Sequence, residues 1–343
     1  MSDTPFRGEA IRRFIVEQVS DHPSDIARVA AEAFGVTRQA VNRHLQRLEA
    51  DGLLEHSGNT RARTYRLAIA HARHWSYPLG PGLVEDRPWM DDLRPTLADL
   101  PGNVLQIWHY GFTEMLNNAI EHSEGTEVTV SVARSATSTT VMIRDDGVGI
   151  FRKIKRALTL ADERHAPLEL AKGKFTTDPA RHSGEGVFFT SRMFDRFAII
   201  SGAVIFSHES NDLADWVLDR DVPAQGTLVI MTLANDAERT AKSVFDQFAS
   251  ADDYSFDKTV VPVRLAEYGD DALVSRSQAR RLLARFERFR TVVLDFCGVH
   301  EIGQSFADEL FRVFAAEHPE VEIVEFRANA AVLRMISRAR AHR

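Results

Sequence analysis

Cysteine is almost absent from this chain of 343 residues: Cys297 stands alone. A single thiol excludes an internal disulfide and any zinc site built from several cysteines. Long apolar runs are missing too. No stretch approaches the roughly 20 apolar residues of a membrane helix. The N-terminal MSDTPFRGEAIRRF lacks the apolar core of a secretory signal, so the sequence reads as cytoplasmic. The longest apolar stretch, Phe197 to Phe206, is interrupted by serine and glycine and reads as a pair of strands. Nor is there an excess of positive charge. The formal net charge is -7, so any contact with nucleic acid needs a local basic face. Internal repeats, low-complexity tracts, a P-loop lysine motif and the signature set of eukaryotic protein kinases are all lacking.

What is present is enough apolar residue, 44%, to build sizeable cores, in a chain long enough for two or three domains. Proline is concentrated at Pro78, Pro81, Pro88, Pro95 and Pro101, which predicts a linker or extended lead-in over 71–99. A weaker polar break lies near Ala249 to Asp257. Three blocks result, 1–70, 100–245 and 255–343.

In the first block, Ile11, Phe14, Ile15 and Val19 have helical spacing over Gly8 to Val19. A second helix is expected from an N-cap at Ser24 to Gly35. A third, capped by Thr37 and stopped at Gly52, buries Val41, Leu45 and Leu48. That leaves Arg38, Gln39, Asn42, Arg43 and Gln46 facing out. Two β-like runs around Gly58-Asn59 follow, with Arg61, Arg63 and Arg66 on the hairpin. The string GVTRQAVNRHLQRLEADGLL and the hairpin after it resemble the winged helix-turn-helix of bacterial transcription regulators. That resemblance implies DNA as a partner, with the third helix at base edges and the wing arginines on phosphates. A protein-binding winged helix is the alternative.

The second block opens with WHYGFTEMLNNAIEHSEG, a helix ended by Gly125. Phe112, Met115, Leu116 and Ala119 fall on one face; Glu114, Asn118 and His122, each four apart, fall on another. Carboxylate and carboxamide aligned beside an apolar stripe are costly without a partner. Paired strands TEVTVSVAR and TTVMIRD lead to Asp145-Asp146-Gly147-Val148-Gly149, where glycines let backbone approach a ligand. A flexible turn, His182-Ser183-Gly184-Glu185-Gly186, precedes an apolar helix, and Gly226-Thr227-Leu228 opens a strand. These four motifs, in this order, resemble the GHKL superfamily of ATPases and kinases, which includes gyrase B, heat-shock chaperone ATPases and histidine kinases. The resemblance implies ATP with Mg²⁺ on Asn118, adenine on Asp145, and Gly147 and Gly149 lining the adenine pocket. It further implies that Gly184 and Gly186 offer amides to the phosphates from a mobile lid, and that Thr227 supports Asp145. Lys172 and Lys174 would reach the γ-phosphate. Glu114 matches the position of the base in gyrase-like ATPases and in anti-sigma-factor serine kinases. No histidine-kinase dimerisation helix with its His-Glu phosphoacceptor is found.

The third block alternates strand and helix three times, an α/β layer pattern. VVLDFCGVHEIGQSFADELFRVF resembles the STAS-like family, related to anti-sigma-factor antagonists, with Asp295 at the strand end and Ser305 near the phosphoacceptor position. The Asp-Ser-Ser-Gly usual in antagonists is replaced by Gly303-Gln304-Ser305-Phe306. Ser305 with Asp308 also reads as a capping box. Taken together, an α+β multidomain chain is expected: a winged helix-turn-helix, a GHKL α/β sandwich and a small STAS-like α/β domain. The implied partners are ATP, Mg²⁺ and DNA, a protein at the STAS-like domain, and a second copy of the chain. No membrane is implied. The nucleotide would be hydrolysed, transferred to a serine, or only sensed.

Overall fold

The structure is a computed structural model that describes residues 4–59, 62–176, 183–209, 215–249, 255–267 and 272–341. Two compact units emerge. One comprises Met1–Trp75, Val130–Val141 and Thr232–Ala237; the other comprises Ser76–Thr129, Met142–Met231 and Glu238–Arg343.

In the first unit, helices α1 (Thr4–Gln18), α2 (Ile26–Phe34) and α3 (Arg38–Ala50) precede a hairpin of β1 (Leu54–Ser57) and β2 (Thr64–Leu67). The strands pair antiparallel from Leu54↔Leu67 to Ser57↔Thr64. Ile11, Ile15, Val19, Ile26, Ala30, Val41, Leu45 and Leu48 form one core, closed by Leu54 and Tyr65. Thr37 caps α3 by accepting a hydrogen bond from the Ala40 amide at 3.2 Å, as its sequence position predicts. Ser24 is not the cap of α2. That place falls to Asp25, whose carboxylate pairs with His22 and Arg28 instead of bonding a helix amide.

Strand β3 (His71–Pro78), β4 (Glu127–Arg134), β5 (Ser138–Asp145), β6 (Arg196–Glu209) and β7 (Asp215–Ala234) form one sheet in the order β3-β4-β5-β7-β6. The expected linker over 71–99 is therefore corrected. Its first part is an edge strand, and residues 86–96 are helical, with Trp89, Leu93 and Leu97 buried. Phe197 to Phe206 lies in one continuous strand rather than two, because Gly202, at φ +57°, bends it without breaking it.

In the second unit the central helix is α4 (Gly102–His122). It buries Val104, Ile107, Trp108, Gly111, Phe112, Met115, Leu116 and Ala119, the alternating three-and-one spacing of a single face. The other helices of this region are α5 (Ile150–Ala157), α6 (Ala166–Lys172), α7 (Gly186–Met193) and α8 (Ala241–Phe248). Trp108 meets Phe194, at the end of α7, edge-on with centroids 4.8 Å apart. Gly111 makes that approach possible: a Cβ there would lie 2.4 Å from Cε2 of Phe194. Phe194 is fully buried and has nowhere to retreat. Gly111→Ala is expected to destabilise the protein by about 1–3 kcal/mol through overpacking. A urea midpoint lowered at constant slope would show it.

The C-terminal module runs β8 (Lys258–Pro262), α9 (Arg276–Leu283), β9 (Thr291–Asp295), α10 (Gln304–Asp308), β10 (Glu322–Phe326) and α11 (Ala330–Ala341). Its three strands are parallel in the order β10-β9-β8, with Val260, Val293 and Val324 in register. Parallel neighbours need crossovers, which α9 and α10 provide. Phe286, Phe296, Phe306 and Phe311 fill the core.

Candidate functional site

One face of α4 borders a cavity of about 460 Å³. Tyr110, Glu114, Asn118 and His122, spaced at four residues, all line it, and Asn117 joins them. Volumes of this size suit small-molecule ligands. The Tyr110 hydroxyl is pushed well above the ordinary phenol range by burial, and the carboxylates of Glu114 and Glu185 add to the shift. Glu185 itself is raised, mainly by burial. The cavity end of α4 is thus tightly packed and rich in acidic oxygen.

Opposite lies the turn after β5. Asp145 is buried, and its Oδ1 accepts hydrogen bonds from the amides of Gly147 (2.9 Å) and Thr227 (3.2 Å). Burial raises its carboxyl above the usual aspartate range, and the two amides oppose that shift. Thr227 Oγ1 in turn accepts from the Ile150 amide at 3.0 Å, joining β7 to the start of α5. Asp145 and Thr227 both line the cavity. Gly147 and Gly149 do not; they shape the turn from behind. The Val148 amide donates to Ser123 O at 2.9 Å, folding the turn onto the end of α4. A Cβ on Gly147 would lie 2.0 Å from that same oxygen. The adjacent Asp146 faces away and accepts from the amides of Thr126 and Glu127 and from the Thr126 hydroxyl, which lower its carboxyl to about 2.

The third wall consists of Phe175, Thr176 and residues 183–187. His182 lies outside the described residues. Gly184 and Gly186 both line the cavity, and Gly186 abuts Glu114: a Cβ there would fall 2.0 Å from Glu114 Oε2. The lysine assignments are corrected. Lys172 is fully buried, its ammonium bonded to Glu169 Oε1, Arg281 O and Ala284 O at 2.7, 2.9 and 3.1 Å. Lys174 donates to Arg288 O at 2.9 Å and lies over the Phe289 ring. Both side chains face the C-terminal module instead of the cavity. A different cation lines the cavity, Lys153 on α5, whose Nζ donates to His122 O at 2.7 Å and lies 3.2 Å from Glu124. The residues that sequence reasoning missed are Tyr110, Lys153, Phe175, Glu185 and Phe245. Only Tyr110 carried a signal, one turn before Glu114.

Elsewhere, Arg38, Gln39, Asn42, Arg43 and Gln46 are exposed along α3. Arg61 lies outside the described residues. Arg63 does not project from the wing. It is half-buried, its guanidinium folded over the Tyr65 ring at 5.9 Å. Arg66 is exposed but paired with Glu55 at 2.8 Å. Ser305 is exposed in the first turn of α10, yet the capping box read there is absent. Gly303 holds the cap position, and Asp308 pairs with Arg312 at 2.5 Å. At the end of β9, Asp295 is buried against Arg327.

Three family models match the chain, in sequence order. Residues 14–63 match the MarR family, 89–204 the histidine kinase-like ATPase domain, and 278–329 a STAS-like domain of unknown function. The chain therefore joins a MarR-like winged helix, a histidine kinase-like ATPase domain and a STAS-like domain, and is an α+β multidomain protein. No curated protein matches it. Among the described residues, no helix is long and apolar enough to cross a membrane.

Proposed function

We propose that this chain is a DNA-binding regulator whose central domain binds Mg-ATP and uses the nucleotide to control its outer domains. The observation that carries the reading is the cavity itself. A buried carboxylate, Asp145, stands on one side, and Glu114, Asn118 and His122 on the other, in a segment matched by the ATPase model. A buried carboxylate with a raised pKa is costly alone, and the exocyclic amine of adenine is a donor that satisfies it. The carboxamide of Asn118 is a hard oxygen donor of the kind Mg²⁺ takes while keeping several waters. The bound ion would neutralise phosphate charge. Lys153 and the amides at the start of α7 would face the phosphates.

Glu114 gives the site a reaction. Its carboxylate takes the proton from an attacking hydroxyl as the new bond to the γ-phosphorus forms; the bond to the bridging oxygen breaks, and ADP leaves. With water as nucleophile this is hydrolysis. With a serine it is transfer, and Ser305, exposed on α10, is the acceptor in this chain. Intact mass after incubation with Mg-ATP separates the two: a gain of one phosphate mapping to Ser305, lost in Glu114→Ala, means transfer.

The exposed row on α3 suits the major groove. Replacing Arg38 and Arg43 by Ala is expected to weaken duplex binding and to flatten its salt dependence, by about one unit of slope for each phosphate that is no longer neutralised. Unchanged affinity would assign the winged helix to a protein partner. The control itself is tested by anisotropy of duplex DNA selected on the full chain, measured with Mg-ATP and with Mg-ADP. Different affinities support it; identical affinities reject it.

A further inference from the structure

Helix α6 and the turn after it are clamped by the C-terminal module through polar groups that the proposed chemistry does not use. Glu169 and Lys172 are buried and paired with each other at 2.7 Å. Arg285, in the turn after α9, reaches both: Nε donates to Glu169 Oε2 (3.0 Å), Nη2 to Glu169 O (2.7 Å) and Nη1 to Lys174 O (3.2 Å). Arg288 also donates to Lys174 O, at 3.0 Å, and receives the Lys174 ammonium on its own carbonyl. On the strand side, Thr259 donates to Lys172 O at 2.7 Å. Two cations on one buried carboxylate make a costly arrangement unless every donor is met, and here backbone carbonyls meet the remainder. Arg285 holds a left-handed backbone, φ 70°, which a non-glycine residue keeps only under constraint.

The clamp continues into the cavity wall. The Arg285 guanidinium lies 5.3 Å from the centroid of Phe175, a cavity-lining residue. The Phe175 amide donates to Gly184 O at 3.1 Å. Gly184, at φ +75°, fits so closely that a Cβ would meet the Phe175 backbone at 2.4 Å. Arg285, Phe175 and Gly184 thus form one packed series from the C-terminal module to the wall that carries the glycines.

We infer that Arg285 is a positioning residue of the nucleotide site: through Phe175 it sets the Gly184 wall in the form that receives the phosphates. This inference rests on the nucleotide reading above. By reciprocity, phosphate binding then stabilises the docked C-terminal module, so that whatever ligand or modification loosens the dock also lowers ATP affinity. Adenosine, which reaches only the Asp145 side, is indifferent to Arg285.

The test is calorimetry on the full chain with adenosine and with Mg-ATP. Arg285→Ala is expected to weaken Mg-ATP about tenfold or more, within the usual range of coupling between sites, and to leave adenosine within about twofold, as for independent sites. Hydrogen exchange at the Phe175 amide should speed up in the same variant. General structural damage would weaken both ligands alike, and that outcome, or no change in either, overturns the inference. Should Arg285→Ala fail to fold, Arg285→Lys keeps the charge but loses the planar fork, and the same split between ligands decides. A wild-type chain that binds neither ligand defeats the nucleotide reading and this inference with it. A chain that binds both, with no split on substitution, defeats the inference alone.

Discussion

Glu114→Gln is expected to lower ATP turnover by about 100- to 10,000-fold, the usual contribution of a positioned base, while ATP affinity stays within a few fold. The expectation follows from position. Glu114 lines the cavity one helical turn before Asn118 and packs against Gly186 at the start of α7. Gln keeps the volume and the acceptor oxygen but cannot take a proton. Phosphate release under single-turnover conditions reads the rate, and equilibrium titration reads the affinity. Because the variant holds unreacted ATP, a switch driven by hydrolysis should stay in its ATP state, with DNA binding fixed at the ATP-bound level. A pure sensor would respond to ATP and ADP as before. Turnover unchanged by the substitution would remove Glu114 from the chemistry.

Asp145→Asn is expected to have the largest effect on binding. The carboxylate Oδ1 accepts from two backbone amides, Gly147 and Thr227, so the residue is fixed in orientation. An amide there can keep those bonds only by turning its NH₂ toward the adenine amine, donor against donor. Loss of a hydrogen bond to a charged group costs about 1.5–3 kcal/mol, or roughly 10- to 150-fold in Kd. Acid should imitate the substitution. Burial raises Asp145 above 3.8, so the proton returns earlier than at an ordinary aspartate. Binding needs the carboxylate, and affinity therefore falls as pH drops through the raised pKa. In the ligand-free protein the same shift works in the opposite sense. The protonated form folds more favourably, and that contribution is lost as pH rises through the folded pKa. At neutral pH the charge is a standing cost, which bound adenine relieves. The rise in melting temperature on adding Mg-ATP should accordingly shrink at acid pH and vanish in Asp145→Asn.

Local periodicity made α4 and its polar face legible, because residues four apart on a helix must share a side. It also exposed the α3 reading row and the three-strand alternation of the C-terminal module. What escaped depends on partners distant in sequence. Nothing near Lys172 reveals that carbonyls of residues 281 and 284 await its ammonium, so a lysine close to a glycine-rich turn looked like a phosphate ligand. Lys153 and Phe245 reach the cavity only because α5 and α8 pack around it. Proline density misled for a related reason. Pro78 ends an edge strand, Pro95 opens a helical turn and Pro101 precedes α4, all places where proline's missing amide costs nothing. The prolines therefore punctuate short elements in the lead-in to the ATPase domain. At Ser305, helix geometry shifted by two residues: the chain enters α10 at Gly303, and the serine is left exposed.

The central claim is that adenine nucleotide occupies the cavity between α4 and the Asp145 turn. Photolabelling the full chain with an azido-ATP analogue in the presence of Mg²⁺, followed by peptide mapping, tests it most directly. The account predicts saturable labelling that excess ATP removes, located on peptides carrying residues 110–123, 143–154 or 227–229. Labelling confined to the winged helix or the C-terminal module, or labelling that ATP fails to displace, would contradict it.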